Sequence, residues 1–512
     1  MNDFFSRRDF LGTFAATGAL ALWGVSGCAA ARPTKPTFLW SPRPGERTAF
    51  INALVIDVDH GELLLKRAIV VRDGRIEEIA GMDSPLLKQA RLVDCHGHYL
   101  IPGLINAHTH MTLPSVNQVK TSDFGLVLEQ ISHNFEDAIA WGVTTVRDMG
   151  SMPKILAKNR LALDKEKLLG PHLISSIGFL SVPGGYPEDL EKISWLTKSI
   201  IGQPTMRAST PEQARDCVKQ YHDLGADFIK IAFDDRSLTY GHGKINVLTD
   251  AQMEAIKDEA SRLGMPVAAH HMYSNGLDRG LRFGVDSMEH LVSDMDLTEE
   301  QIRKIIDTKM PFVPTVMAGI NLAYKSEGDP YNNDPYLNET LMWKQKFLIP
   351  DIPNHALPKI HRMCLDTISF YEKGLYKQPN AKAEHSSFNP VLFTRAIVIG
   401  ARNAKRLIRE GVVFGAGNDS GIPLSFPGMI HLEMRLLKHL GMTDSQALRA
   451  ATLVNARICK LEKHCGSIEK GKRADLVLLS GNPLEDIRNV AKVAAVFKEG
   501  KLVSKAADFS LI

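Results

Sequence analysis

With 512 residues, 44% of them hydrophobic, the chain can bury one large α/β core together with a smaller domain. Its 61 Lys and Arg residues nearly balance 58 Asp and Glu, giving a formal net charge of +3 with no long run of one sign. That balance argues against nucleic acid as a partner and against a basic membrane-binding patch.

The chain opens with MNDFFSRRDFLGTFAATGALALWGVSGCAA. The pair Arg7-Arg8, then Phe10-Leu11 and an apolar stretch too short to span a bilayer, predicts a twin-arginine export signal over residues 1–27. The export machinery is therefore an expected partner, and the periplasm an expected location. Val25-Ser26-Gly27-Cys28 resembles a bacterial lipobox, which would make Cys28 the lipid-modified first residue of the mature protein, anchored to the membrane only through that lipid. Ordinary cleavage in Cys28-Ala29-Ala30-Ala31 is the alternative. Residues 28–47 are Pro-rich and basic, as suits a tether. The other cysteines, 95, 217, 364, 459 and 465, show no paired spacing. Twin-arginine substrates fold in the reducing cytoplasm, so five free thiols are expected.

Residues 48–100 hold short β-like runs, Ala49 to Ile56, Ile69 to Val71 and Ile76 to Ile79, separated by polar turns. Residues 463–512 repeat that character with Ala474 to Leu479 and Val493 to Phe497. Two β-rich ends around a long middle predict one small β-sandwich domain built from both. Between them, residues 101–462 alternate apolar strands with helical stretches, the signature of parallel βα units. Candidate strands fall at 100–107, 143–148, 172–178, 228–233, 266–270, 287–291, 311–317 and 412–418; eight of them predict a (β/α)8 TIM barrel. Thr443-Asp444-Ser445-Gln446 reads as a capping box opening a helix. The link before the last strand, about 95 residues, is far longer than an ordinary loop and should hold extra helices. Its Tyr331 and Tyr336 are candidates for a lid or a substrate wall, with a decorative insertion as the alternative.

The chemistry concentrates at strand ends. The first barrel strand runs into His108-Thr109-His110, and alternation turns both imidazoles the same way. The fifth ends in His270-His271, the sixth in Glu289-His290, and the eighth carries Asp419 among small residues. Each histidine alone is more often a cap or a loop contact. Together, His108, His110, His270, His290 and Asp419 offer borderline-hard N/O ligation suited to zinc or a similar divalent metal. Lys230 sits inside the apolar run Phe228-Ile229-Lys230-Ile231-Ala232-Phe233, where an ammonium needs compensation. Loop residues expected at the same face, Tyr186, Tyr240, His242 and His431, are candidates for substrate contact. Arg147-Asp148 could orient a substrate carboxylate or form a structural ion pair.

The motifs PGLINAHTH, GVTTVRDMG, GADFIKI, VAAHH, GVDSMEH, GNDSG and GSIEKGKRADLVLLSGNPLEDI resemble those of the amidohydrolase superfamily, in the branch of imidazolonepropionase-like enzymes and metal-dependent Xaa-Pro or Xaa-Arg dipeptidases. The resemblance runs from about residue 48 to 505. It implies two divalent metals, zinc by preference. His108, His110 and Asp419 would hold the buried one and His270 and His290 the exposed one, with a CO2-derived carbamate on Lys230 as bridge. It further implies metal-assisted hydrolysis of a carbonyl–nitrogen bond in a small peptide-like or N-acyl amino acid substrate. Asp419 would take the proton of the attacking water and pass it to the leaving amine. A lactone or phosphoester hydrolase, a mononuclear cyclic-imide hydrolase or deaminase, and a non-enzymatic binding lipoprotein are the alternatives; homo-oligomerisation is left open. His271 competes with His270 as ligand. The segment Phe233-Asp234-Asp235-Arg236 is bulkier and more charged than in the dipeptidases and is expected to alter the pocket wall.

Overall fold

The computed structural model describes residues 38–117, 121–192, 195–239, 243–377 and 388–510. The export motif, Cys28, Tyr240 and His242 lie outside the described residues. The architecture is α/β.

Both ends of the described chain contribute to two mainly antiparallel sheets. One orders Arg75–Gly81, Arg67–Arg72, Arg47–Ile51 and Ala90–Asp94; the other orders Lys501–Lys505, Val493–Lys498, Leu476–Leu479, Tyr99–Pro102, Leu54–Asp57 and Glu62–Leu64. Phe50, Val71, Leu100, Leu476 and Phe497 fill the space between them, with Phe50 and Phe497 edge to face at 4.7 Å. The predicted strand 49–56 is broken at Asn52, whose φ of 55° ends one strand and lets the next enter the other sheet. The predicted strand 100–107 is likewise two. Tyr99–Pro102 belongs to the antiparallel sheet, and the parallel strand Leu104–Thr109 begins only after Gly103. A side chain at Gly103 would collide with Thr144, so the crossing needs glycine.

The parallel strands fall in two hydrogen-bonded sheets, one of three strands and one of six. Leu104–Thr109 pairs with Val143–Asp148, which pairs with His172–Ser175. The third strand is split: after a left-handed Ile177 it resumes as Phe179–Ser181, which pairs with Ile229–Ala232. Val267–His270, Ser287–Glu289 and Phe312–Val313 follow in order. The predicted seventh strand, 311–317, is much shorter because Pro311 and Pro314 have no N–H to donate and a helix begins at Val316. The predicted eighth, 412–418, forms no regular strand. It nevertheless bridges Phe312 to Phe414 and Thr109 to Ser420, so it lies between the seventh strand and the first.

The long link is helical, as expected: Pro335–Trp343, Ile349–His355, Pro358–Glu372 and Pro390–Arg395 are among its helices. Its contribution to the cavity wall includes Leu322, Phe388, Phe393 and Ile397; Tyr331 and Tyr336 lie off that wall. Thr443 and Gln446 make the predicted capping box. The five cysteines at 95, 217, 364, 459 and 465 are free thiols, all buried except the half-buried Cys459.

Candidate metal centre

At the C-terminal ends of the parallel strands a cavity opens, lined by His108, His110, Lys230, His270, His290 and Asp419 together with Tyr186 and many apolar side chains. Backbone register explains the convergence. Lys230 stands opposite Phe179 on one neighbouring strand and Ala268 on the other, while His270 stands opposite Glu289. His290 and Asp419 take left-handed φ angles of 77° and 53°, uncommon for such residues and here located where strands end at the cavity.

His108 Nδ1 lies 2.8 Å from Glu289 Oε2, and His110 Nδ1 contacts the carbonyl of Gly150. A carboxylate and a carbonyl can only accept, so each ring carries its proton on Nδ1 and turns the Nε2 lone pair inward. Those two lone pairs meet Asp419 Oδ1, at 3.4 Å from His108 Nε2 and 3.2 Å from His110 Nε2. Three electron-pair donors facing one another, all buried, fit a cation between them. Burial pushes the His108 imidazolium down to about 4. Burial pushes Asp419 up, but the His108 and His110 rings outweigh it and hold the carboxyl at about 2.

The remaining candidates stand beside this trio. The His290 ring lies 4.9 Å from His108 and 4.4 Å from His270, and its Nδ1 is 2.6 Å from the Thr315 hydroxyl. Tyr186 stacks on His270 at 4.3 Å with an interplanar angle of 15°. Lys230 is 1% exposed, and its Nζ, 5.9 Å from the centre of the Phe179 ring, makes no hydrogen bond among the described residues. Burial pushes that ammonium down to about 8. His271 turns away from the cavity onto the carbonyl of Glu289, at 3.0 Å, and packs near Phe312.

Three expectations are corrected. His431 does not reach the cavity: it stacks on Trp141 at 4.6 Å and lies 3.1 Å from Asp351. Arg147 does not line the cavity to orient a substrate carboxylate; it makes the expected buried structural ion pair, with Glu289 and not with Asp148. Its guanidinium is buried 3.1 Å from Glu289 Oε1 and donates to Ser287 Oγ at 3.0 Å. Asp148 instead accepts from the backbone of Met111 and Gly150. The segment Phe233 to Arg236 is off the cavity wall as well. Asp234 is buried, accepts from Met272 N at 2.9 Å, and lies 3.1 Å from His270 Nε2. Its charge bears on the histidine rather than on a substrate.

Sequence reasoning missed Glu289 as the residue that aims His108. Arg147 and His108 hold its carboxyl well below the usual range against the opposing effect of burial. The signal was present in Ser287-Met288-Glu289-His290: a carboxylate inside a buried strand raises the same question as Lys230 in its own strand.

Residues 99–503 match the model of the amidohydrolase family. Curated relatives include an imidazolonepropionase from Symbiobacterium thermophilum, 36% identical over 105 residues, which are 20% of this chain and 24% of that protein. An imidazolonepropionase from Pseudomonas savastanoi is 24% identical over 242 residues, 44% of this chain and 59% of the relative. A dihydropyrimidinase 2 from Caenorhabditis briggsae is 34% identical over 87 residues, so the chain spans between 15% and 59% of the length of these curated relatives. Among solved structures, a putative prolidase from Bifidobacterium longum superposes with a TM-score of 0.63 at 26% identity, over 90% of this chain and 95% of that one. A Xaa-Pro dipeptidase with bound methionine gives 0.67 at 22% identity over 90% and 100%, a likeness of fold. The strand-end histidines, the buried lysine and the family match over most of its length agree: the chain belongs to the amidohydrolase family.

Proposed function

We propose that the chain is a metal-dependent hydrolase of a carbonyl–nitrogen bond, built on a closed (β/α)8 barrel with a β-sandwich formed from both ends of the mature chain. The observation that carries this reading is the buried convergence of His108 Nε2, His110 Nε2 and Asp419 Oδ1 beside an amine, Lys230 Nζ, that has no hydrogen-bond partner among the described residues. Those three ligands would hold one metal, His270 and His290 a second, and the carboxylated Lys230 would bridge them. A neutral Lys230 amine forms its N–C bond to CO2 and releases a proton; the resulting anion compensates the positive charge of the site. Bound divalent metals supply a polarised carbonyl and an acidified water. Asp419 accepts the proton of the attacking water and delivers it to the leaving nitrogen.

The cavity narrows the substrate class. Leu238, Met272, Val316, Phe393 and Ile397 give it a largely apolar wall, and no arginine stands among the described residues that line it. Such a wall suits the apolar acyl or side-chain portion of a peptide-like or N-acyl amino acid substrate and excludes water around the reacting carbonyl. The names of the relatives, prolidase, Xaa-Pro dipeptidase and imidazolonepropionase, support C–N bond chemistry.

One observation favours a second reading, a mononuclear cyclic-imide hydrolase: His108, His110 and Asp419 form a tight group that His270 and His290 do not join. Metal content separates the two. The binuclear reading expects about two divalent ions per chain in the cavity, counted as those lost when its histidines are replaced, and fewer in Lys230→Ala, with activity found in a screen of apolar dipeptides, N-acyl amino acids and lactones. A single ion in the cavity, unchanged by that substitution, would establish the mononuclear reading. Activity on lactones alone would sink the C–N assignment. Export by the twin-arginine route and a lipid on Cys28 complete the proposal. Membrane association that persists unaltered in Cys28→Ala would count against the anchor.

A further inference from the structure

Asp351, His355 and His431 form a second cluster of ligand-type atoms, outside the cavity. Asp351 and His355 lie one turn apart on Ile349–His355, a helix of the long link, and His431 opens the helix Ile430–His439 that follows Asp419. Asp351 Oδ2 is 3.1 Å from His355 Nε2 and 3.1 Å from His431 Nε2, and the three ligand atoms all lie within 4.8 Å of one another.

The other ends of these side chains are fixed. His355 Nδ1 lies 2.8 Å from Asp137 Oδ1, and Asp137 Oδ2 accepts from Gly428 N at 2.9 Å. His431 Nδ1 lies 3.2 Å from the carbonyl of Gly428. Both Nδ1 partners are acceptors, so each Nδ1 carries a hydrogen. Asp351 Oδ2 also only accepts, and against burial Asp137 and Asp351 raise the His355 imidazolium to about 9, so a bound cation would have to displace the His355 Nε2 proton to take that lone pair. Asp351 Oδ1 accepts from Asn354 Nδ2 at 2.9 Å, which leaves Oδ2 to face the rings. Two imidazole Nε2 atoms and a carboxylate oxygen thus converge, each side chain braced from behind by a carboxylate, a carbonyl or an amide. Trp141 walls the cluster, 4.6 Å from the His431 ring and 4.7 Å from the His355 ring. Gly428 leaves no slack: a Cβ there would stand 2.6 Å from Trp141, 2.7 Å from Asp137 and 2.9 Å from His355. His355 is 0% and His431 5% exposed, so bulk water is excluded from two of the three ligands.

We propose that Asp351, His355 and His431 bind a divalent transition metal of the zinc class, separate from the catalytic centre, which fastens the long link to the helix behind Asp419. Two imidazoles and one carboxylate are borderline ligands that suit zinc or cobalt rather than calcium or magnesium, and a fourth position is left for water. The ion would take over the charge balance that a protonated His355 otherwise supplies between Asp137 and Asp351. Through Asp137 the same site reaches the helix Phe124–Ala140, so one ion ties three helices.

The test is metal counting on the whole protein from which the catalytic histidines have been removed, His108→Ala, His110→Ala, His270→Ala and His290→Ala together, titrated with Zn2+ and with Co2+. One equivalent is expected to remain, with the visible absorption of low-coordinate cobalt, and to be lost on adding Asp351→Asn or, separately, His431→Gln. On the otherwise unaltered chain, Asp351→Asn should lower metal content by one equivalent with the circular dichroism unchanged. Equal metal content in the unaltered chain and its Asp351→Asn variant would overturn the proposal. So would imidazole 15N shifts of the unaltered protein showing both rings doubly protonated and unmoved by added zinc, a measurement that requires no variant to fold. Because the readout is a difference of one ion, it stands or falls separately from the number of metals at the catalytic centre.

Discussion

Glu289 does two jobs with two oxygens: Oε2 faces His108 Nδ1 and Oε1 faces the buried Arg147. In Glu289→Gln the amide oxygen can still accept from His108, but the charge that balances Arg147 is gone. A partner bound behind a ligating imidazole typically changes metal affinity by about 10- to 100-fold. Leaving a buried guanidinium unpaired costs about 3 kcal/mol. The variant should therefore lose metal to a competing chelator at least about tenfold more readily and unfold at lower urea. Wild-type affinity together with wild-type stability would show that neither oxygen matters. Lys230 was legible in the sequence because a lone amine in an apolar strand has few bland explanations. Glu289 was equally buried and was passed over because a histidine stood next to it.

Strand eight shows what an element owes to residues outside it. The stretch from Val412 to Asn418 lacks a regular ladder, yet it must carry Asp419 to the centre. Asn455, at the start of Asn455–Ile458, supplies the missing bonds. Its Nδ2 donates to the carbonyls of Ile105, at 2.6 Å, and Ala416, at 2.7 Å, and its Oδ1 accepts from Ala416 N at 3.0 Å. One buried amide thus stitches the first strand to the eighth, and Gly415 is bare because a side chain there would strike it. Asn455→Ala should destabilise the protein by about 3 kcal/mol, since backbone groups of Ala416 and Ile105 lose buried partners. It should also lower kcat more than it changes KM, because Asp419 moves with the strand. A urea midpoint and kcat both at wild-type values would refute the stitch. The sequence marked the strand by its apolar residues and small Gly-Asn-Asp turn, but the staple lies almost forty residues further on. Periodicity reports which face is buried, and it carries no information about which distant amide completes a ladder.

At the scale of the molecule, the two chain ends meet a parallel strand at Asp475. Its backbone carbonyl accepts from Gly103 N at 2.8 Å, at the crossing between sheets, and its carboxylate accepts from Glu499 N at 2.9 Å. The same carboxylate lies 3.2 Å from His172 Nε2, on the third parallel strand, and 3.1 Å from Arg473 Nε. The pairing of the two β-rich ends was legible because both show short alternating runs. This polar pin was not, because His172 stands 303 positions before Asp475 and such a distant partner has no local signature.

Burial pushes the Asp475 carboxyl up, but His172 and Arg473 outweigh it and hold the group at about 2, below its ordinary 3.8. A depressed carboxyl stabilises the fold fully above its unfolded value, and that contribution fades as pH falls through the folded value. A difference of this size corresponds to roughly 2 kcal/mol at neutral pH. Asp475→Asn should therefore be less stable than wild type by roughly 2 kcal/mol at neutral pH, and the gap should close as pH falls from about 4 toward 2. Many other carboxylates titrate in that window, so the quantity to follow is the difference between the two proteins in urea, which cancels what they share. A gap that stays constant down to the lowest pH at which both fold would show that the ionised carboxylate contributes nothing, and would leave only the backbone contact from Gly103 to hold the junction.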